Sequence, residues 1–258
     1  MRYVRFEQGG QVRHGIVEGD SVRSIDGDLF GRHEVTGKPT PLGAVKLLAP
    51  VMPGKVLATA VNYHSHVAQS RAVLNEDEAP KQPELFYKPT SCIIGPEEAV
   101  IRPASYDGRL DAEGEMVAVI GKRASKVSPE EALGYVFGYT CGNDVSARQW
   151  QRGDIQWWRA KGSDTFGALG PWIETDLDPT NVELRTRVNG KELQSTNTNL
   201  MVHNVAKLVS FISGVVTLEP GDIIYTGTPG ETPELQPGDT VEVEIQGIGV
   251  LKNPVQAG

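Results

Sequence analysis

The chain has 258 residues, a formal net charge of −8 and no basic run, which argues against nucleic acid as a partner. It holds no stretch of about 20 apolar residues and no apolar signal-peptide region near its N-terminus, so we expect neither a membrane span nor a membrane partner. Its two cysteines, Cys92 and Cys141, are too few for a disulfide framework, and we expect a reduced, cytoplasmic protein.

The first 50 residues favour a small β-meander, because short β-prone segments alternate with turn residues such as Gly9 and Gly10. The connector Pro41–Lys55 is rich in proline and glycine and shows no helical period, so we place a domain boundary near residue 50. The predicted organisation is a β-meander domain over residues 1–50 and a main domain over residues 51–258.

Beyond Lys55 the pattern predicts mostly short strands and few helices, which indicates an α+β fold that is mainly β. A capping box that begins at Ser128 predicts one short helix. Apolar residues at helical spacing predict another over Met201–Gly214. Asn189–Gly190 predicts a hairpin. The long charged segment His64–Pro83 has few apolar anchors and predicts a lid over a site.

The stretch Leu110–Lys122 places carboxylates at alternate positions before an apolar run. Since alternate residues of a strand share a face, Glu113 and Glu115 should lie together. Buried carboxylates need a partner, which is either a Lys or Arg side chain or a hard divalent cation such as Mg²⁺, Mn²⁺ or Ca²⁺. The alternative is an exposed edge strand with solvated glutamates.

Asp144 follows the next predicted strand and a Gly142–Asn143 turn, and it is a candidate for a third oxygen ligand. The alternative is that Asp144 or Ser146 caps a helix. Three carboxylates would leave room in an octahedral shell for water and a chelating substrate, which is the arrangement that a Lewis-acid enzyme requires.

Other polar residues are candidates on local chemistry alone. His64 and His66 open the polar segment, where a histidine is either a solvated loop residue or a general base that acts once the loop closes. Lys88 and Lys161 stand in apolar or glycine-rich surroundings and gain a role only if they converge on one site. Thr228, in a glycine and threonine turn, either faces a substrate carboxylate or only forms the turn.

Eight segments together resemble the fumarylacetoacetate hydrolase family over residues 50 to 253. They are NYHSH, LFYKPTS, LDAEGEMVAVIGK, GYTCGNDVSARQWQ, AKGSDTFGALGPW, VNGKELQ, TLEPGDIIYTGTP and GDTVEVEIQGIGVLKN. The first 50 residues resemble the small N-terminal β extension of many bacterial members. The resemblance implies a mixed β-sandwich roll, usually a homodimer, with a divalent cation in a cleft.

The resemblance also implies roles for single residues. It places the ligands of Mg²⁺ or Mn²⁺, with Ca²⁺ as a further candidate, on Glu113, Glu115 and Asp144. It makes His66 the catalytic histidine, and it makes Lys161 a catalytic cation that stabilises negative charge. Contacts to the substrate are implied for the residues Lys88, Lys161, Gln151 and Thr228.

The sequence departs from the family pattern at two positions. Many members have a glutamate three residues after the catalytic histidine, and the two side chains form a dyad that activates water. This chain has Gln69 there, which can orient water or His66 but cannot take up a proton as a carboxylate does. Glu76 or Glu78 are alternative bases. Gln149 stands where the family often has aspartate.

The leading functional hypothesis is a metal-dependent hydrolase that cleaves a carbon–carbon bond in a β-diketo acid, such as an acylpyruvate or fumarylpyruvate. The missing glutamate favours an alternative, a decarboxylase or tautomerase of a 2-oxo dicarboxylate such as oxaloacetate. Both hypotheses imply a small anionic substrate. A third hypothesis is a non-catalytic Ca²⁺-binding protein whose metal shell is closed by protein ligands.

Overall fold

The computed structural model describes residues 1–65 and 79–258. Most of the predicted lid segment, including His66, Gln69, Glu76 and Glu78, therefore lies outside the described residues. Within the described ranges, Cys92 and Cys141 are buried free thiols. A search of the same ranges finds no helix with the length and apolar character of a membrane span.

Strands form most of the regular structure. In chain order they are β1 (Arg2–Gln8), β2 (Gln11–Glu18), β3 (Ser21–Gly27), β4 (His33–Pro41), β5 (Lys46–Leu48), β6 (Val56–Ala60), β7 (Glu84–Lys88), β8 (Ile93–Ile94), β9 (Val100–Arg102), β10 (Leu110–Asp111), β11 (Gly114–Ile120), β12 (Val136–Asp144), β13 (Ser146–Ala147), β14 (Gly167–Glu174), β15 (Glu183–Val188), β16 (Lys191–Asn197), β17 (Ile223–Tyr225), β18 (Glu234–Leu235), β19 (Thr240–Ile245) and β20 (Gly249–Ala257).

Helices in the described residues are few and short. The α-helices are α1 (Arg148–Gly153), α2 (Trp158–Gly162) and α3 (Val205–Ser213). The 3₁₀-helices are Leu42–Ala44, Thr90–Cys92, Ala132–Tyr135 and Thr198–Leu200. The prediction of a mainly β fold with few short helices is confirmed.

Two large sheets pack face to face. One has twelve strands, in the order β4-β3-β2-β1-β14-β12-β11-β17-β6-β7, with β5 on β1 and β8 on β14. The other has five strands, in the order β16-β15-β19-β20-β9. Most pairs are antiparallel, whereas β17 with β6, β14 with β8 and β20 with β9 are parallel. A short sheet of β13, β10 and β18 lies beside them. The arrangement is the predicted mixed β-sandwich.

Strand β11 separates two hydrophobic cores, and all seven of its residues are buried. Met116 and Ala118 face the core shared with the five-stranded sheet. Val117 and Val119 point to the opposite face and pack against β6, β17 and the N-terminal strands. Glu115, on the same face as these two valines, is 1 % exposed. The alternative of an edge strand with solvated glutamates is therefore wrong.

Two of the local predictions are confirmed. Asn189 and Gly190, both with positive φ, turn the chain between β15 and β16. Helix α3 ends at a C-cap on Gly214, as its sequence predicts. It begins later than predicted, because Asn204 is its N-cap and leaves Met201 in the preceding loop.

The helix predicted after Ser128 is only a 3₁₀ turn over Ala132–Tyr135. The Ser128 hydroxyl donates to the side chain of Glu131 at 3.2 Å, and the turn has no side-chain cap on a backbone N–H. One hydrogen-bonded turn without a cap is marginal, so the chain returns at once to the extended strand β12.

Candidate active site

The predicted acidic residues come together where β11 pairs with β12. Glu113 precedes β11, Glu115 is its second residue, and Asp144 is the last residue of β12. The antiparallel register, with Gly114 opposite Asn143, sets the three side chains next to one another. One oxygen from each carboxylate lies within 4.8 Å of the others, and all three residues are buried. Their role as metal ligands stays a prediction.

Neither helix-cap alternative is correct. Asp144 is a strand residue, and the N-cap position of α1 is Ala147. The Ser146 hydroxyl donates to the backbone carbonyl of Asp144 at 2.9 Å. The Asp144 carboxylate is therefore free of any capping role and faces the acidic cluster.

Two buried lysines lie among these carboxylates. Lys161, in α2, donates from Nζ to Glu113 Oε2 at 2.5 Å and to Asp144 Oδ2 at 2.8 Å. Lys88, at the end of β7, donates from Nζ to Asp144 Oδ1 and to the backbone carbonyls of Lys161 and Phe166. Those three acceptors match the three protons of the Lys88 ammonium. A substrate contact for Lys88 stays a prediction.

Arg148, at the start of α1, fixes the outer side of the cluster. Its guanidinium donates to Asp111 at 2.8 Å, to Glu113 at 2.7 Å and to Gln151 at 2.8 Å. Burial lowers the pKa of Arg148, but Glu113 and Asp111 outweigh burial and raise it. Sequence reasoning missed Arg148 and Asp111. The available signals were the arginine of the GYTCGNDVSARQWQ segment and the first carboxylate of the alternating run.

Gln151 and Thr228 both line the cleft beside the cluster. The Thr228 hydroxyl donates to the Gly114 carbonyl at 3.0 Å and accepts a hydrogen bond from Gln194 Nε2 at 3.1 Å. Gln151 is held by Arg148. The structure therefore brings these two predicted residues to the same cleft as Glu113, and it supplies Gln194 as a support that the sequence did not reveal.

Glu115 is the carboxylate of the cluster with the least compensation. Its Oε2 accepts a hydrogen bond from the Gly227 N–H at 2.6 Å, and no Lys or Arg nitrogen of the described residues forms an ion pair with it. Burial raises the pKa of Glu115 well above its usual range, the charges of Asp144 and Glu113 raise it further, and Lys161 offsets only part of this. Glu115 is thus the carboxylate of the three that lacks a cationic side-chain partner among the described residues.

The cleft over the cluster has a volume of about 380 Å³ and an aromatic side. Glu113 and Lys161 reach its wall from the buried side. Phe86 and Trp157 also line it, and their rings meet edge to face with centroids 5.4 Å apart. The acidic cluster is therefore reachable by a small molecule through Glu113, which disagrees with a structural cation site closed by protein.

These residues fit a divalent cation. The donors are all carboxylate oxygens, they are buried and close together, and Glu115 lacks a cationic partner among the described residues. Mg²⁺ and Mn²⁺ bind such oxygen donors. Glu113, Glu115 and Asp144 would hold the ion, and Glu113 also lines the cleft in which a substrate would bind.

Comparison with known proteins adds a family and its relatives. Residues 55–256 match the family described as fumarylacetoacetate (FAA) hydrolase C-terminal, and residues 1–50 match the one described as Rv2993c-like, N-terminal. The structure of 5-carboxymethyl-2-hydroxymuconate delta-isomerase from Mycobacterium smegmatis is 44 % identical in sequence, with a TM-score of 0.92 and complete coverage of both chains.

Two further relatives are named for activities that differ from that of the delta-isomerase. The mitochondrial oxaloacetate tautomerase Fahd2a of Rattus norvegicus is 40 % identical over 83 % of this chain and 71 % of its own. The structure of maleylpyruvate hydrolase from Sphingobium sp. SYK-6, in complex with manganese (II) ion and pyruvate, is 28 % identical, with a TM-score of 0.81 and complete coverage of both chains.

Proposed function

The chain belongs to the fumarylacetoacetate hydrolase family of enzymes, and from this premise we propose that it is a divalent-metal-dependent hydrolase of a β-diketo acid, an acylpyruvate. The observation that carries the proposal is the buried cluster of Glu113, Glu115 and Asp144 at an open polar cleft. Support comes from the maleylpyruvate hydrolase relative, which holds manganese and pyruvate. Pyruvate is the 2-oxo acid that hydrolysis of any acylpyruvate releases.

Lys161 is the residue with the clearest electrostatic role. A bound cation would supply Lewis acidity to the substrate carbonyl. Burial lowers the pKa of Lys161, but the charges of Asp144 and Glu113 outweigh burial and raise this pKa. Lys161 therefore stays protonated and acts as a cation rather than as a base. Its ammonium on the cleft wall stabilises negative charge on a substrate oxygen, and one such donor contributes about 2.7–4 kcal/mol in comparable sites.

Hydrolysis also needs a water and two proton transfers. Water adds to the acyl carbonyl, the bond between that carbon and the pyruvate methylene breaks, and the methylene carbon takes up a proton. We assign water delivery to His66, from the family resemblance alone, because His66 lies outside the described residues. Gln151 and Thr228, on the cleft wall, orient the substrate carboxylate.

A second candidate is tautomerisation or decarboxylation of a 2-oxo dicarboxylate at the same site. The specific observation in its favour is Gln69, which replaces the glutamate of the water-activating dyad. Moving a proton beside a ketone requires no activated water, so the loss of that glutamate is less harmful to this reaction. The oxaloacetate tautomerase relative is in accord with it.

A substrate panel tests the proposed function. We expect the protein, stripped with EDTA and reloaded with Mg²⁺ or Mn²⁺, to release pyruvate from fumarylpyruvate and to lose this activity again with EDTA. Pyruvate release is measured with a coupled dehydrogenase, and enol–keto conversion of oxaloacetate is followed by ultraviolet absorbance. Tautomerisation or decarboxylation of oxaloacetate, without pyruvate release from fumarylpyruvate, would replace the hydrolase by the second candidate.

Gln69→Glu tests what separates the two reactions. A carboxylate at this position restores the proton acceptor of the family pattern, so we expect the ratio of fumarylpyruvate hydrolysis to oxaloacetate tautomerisation to rise about tenfold or more. Gln69→Asn is the control, since it changes length without adding a base. An equal ratio in all three proteins would show that this position does not set the reaction.

A further inference from the structure

Among the described residues, the cleft wall carries one cationic side chain without an ion-pair partner. The cationic residues that line the cleft are Arg109, Arg148, Arg152 and Lys161. All except Arg152 donate to a carboxylate, at distances between 2.5 and 2.8 Å. The Arg152 side chain has no ion pair or hydrogen bond with any residue in the described ranges.

The acid nearest to Arg152 in sequence is already occupied. Asp154 accepts two hydrogen bonds from Arg159, at 2.6 and 2.8 Å. Arg152 lies in the last turn of α1 and its side chain is exposed. Its positive charge is therefore not neutralised by Asp154. Of the described residues that line the cleft, the exposed Glu231 is the other charged side chain without an ion pair, and it is not within ion-pair distance of Arg152.

The cleft wall that holds Lys161 and Arg152 also includes an apolar part. Phe86 and Trp157 pack edge to face there, and the Lys161 ammonium lies 5.4 Å from the centre of the Phe86 ring. Aromatic faces of this kind suit a planar, unsaturated carbon chain. The cleft thus combines polar groups of the cluster, an aromatic surface and a guanidinium in one lining.

We propose that Arg152 binds a second, distal carboxylate of the substrate, so that the enzyme is specific for dicarboxylic acylpyruvates. This inference rests on the proposed function for the 2-oxo acid end, which the acidic cluster and Lys161 receive. A guanidinium pairs with a carboxylate through two parallel hydrogen bonds, and it is more weakly hydrated than an ammonium. Arg152 is therefore a specificity-determining residue.

Two substrates of equal length test the inference. Fumarylpyruvate and crotonylpyruvate are both seven-carbon acylpyruvates, and they differ by a distal carboxylate against a methyl group. We expect Arg152→Gln to lower kcat/KM for fumarylpyruvate about 10- to 100-fold, mainly through KM, and to change kcat/KM for crotonylpyruvate less than about twofold. Arg152→Lys should restore part of the loss. Equal effects on both substrates, or no effect, would overturn the proposal.

Binding of unreactive analogues separates this inference from the proposed function. Calorimetry on the Mn²⁺-loaded protein compares 2-oxopimelate, a dicarboxylate, with 2-oxoheptanoate, which ends in methyl. Arg152→Gln should remove the preference for 2-oxopimelate, whereas Glu231→Gln should keep it. If acylpyruvates are not hydrolysed but this preference depends on Arg152, the function fails and the distal site stands. A preference that Glu231→Gln abolishes and Arg152→Gln does not would refute the distal site.

Discussion

Glu115→Gln should abolish metal-dependent activity and at the same time stabilise the metal-free protein. Glu115 is 1 % exposed and has no ion-pair partner in the described part of the chain. Glutamine keeps its shape and can still accept the Gly227 N–H, but it removes a buried charge that is costly without a cation. Cation affinity should fall by more than the roughly 10- to 100-fold that loss of an outer partner costs a metal site.

The stabilisation should depend on pH. Burial, followed by repulsion from Asp144 and Glu113, raises the pKa of Glu115 in the folded state. At low pH such a carboxyl group is protonated in the folded and in the unfolded protein, so it does not affect stability. Once the pH exceeds its pKa in the unfolded protein, the group ionises there first and favours unfolding. The gain from Glu115→Gln should therefore be absent in acid, grow above the usual glutamate range and persist at neutral pH.

Glu113→Gln is the matched control, and it should lower the stability of the metal-free protein in EDTA, whereas Glu115→Gln should raise it. Glu113 pairs with Arg148 at 2.7 Å and with Lys161 at 2.5 Å, so its charge is compensated in the metal-free protein. Its loss should destabilise the metal-free protein by about 1.5–3 kcal/mol. Thermal unfolding in EDTA and calorimetric titration with Mn²⁺ measure both quantities. A lower melting temperature for both variants would show that Glu115 is compensated after all.

The shared face of Glu113 and Glu115 was predictable because its pattern is local, whereas Asp144 joins them through the pairing of β11 with β12. Alternation in a strand fixes which side chains share a face, so Glu113 and Glu115 followed from the sequence with the apolar run behind them. The placement of Arg148 beside Asp111 was not predictable, because it depends on the pairing of β10 with β13 between distant parts of the chain. Hydrogen-bond partners of this kind follow from register, which no local pattern contains.

The hydrogen-bond partners of Gln149 were also not predictable from the local sequence. Its departure from the family pattern indicated a change in the chemistry, yet its side-chain oxygen accepts hydrogen bonds from the Tyr106 hydroxyl at 2.5 Å and the Arg109 N–H at 2.7 Å. Gln149 thus has a structural contact, which ties α1 to the segment that holds Tyr106 and Arg109. Likewise the N-terminal strands were predictable one by one, but the pairing of Arg2 with Glu174, which joins them to the large sheet, was not.

Lys88→Met should cost stability before it affects the chemistry. The Lys88 side chain is fully buried, and its three acceptors are Asp144 and the carbonyls of Lys161 and Phe166. Asp144 keeps Lys161 at 2.8 Å, so the lost hydrogen bond to its carboxylate costs about 1.5–3 kcal/mol. In addition, the two carbonyls lose a donor. We therefore expect a large fall in the melting temperature, and the KM of the protein that remains folded should change little.

Lys161→Met should show the opposite balance, because Lys161 lines the cleft and its carboxylates keep other partners. Glu113 retains Arg148 and Asp144 retains Lys88, so the stability loss should be nearer 1.5–3 kcal/mol. Removal of its charge from the reacting oxygen should lower kcat about 100- to 1,000-fold. Unfolding and saturation kinetics on both variants decide the roles. In the structure all three ammonium protons of Lys88 are bound by the fold, so none is left for a ligand. If Lys88→Met instead keeps its stability and raises KM, this prediction is wrong and Lys88 contacts the substrate.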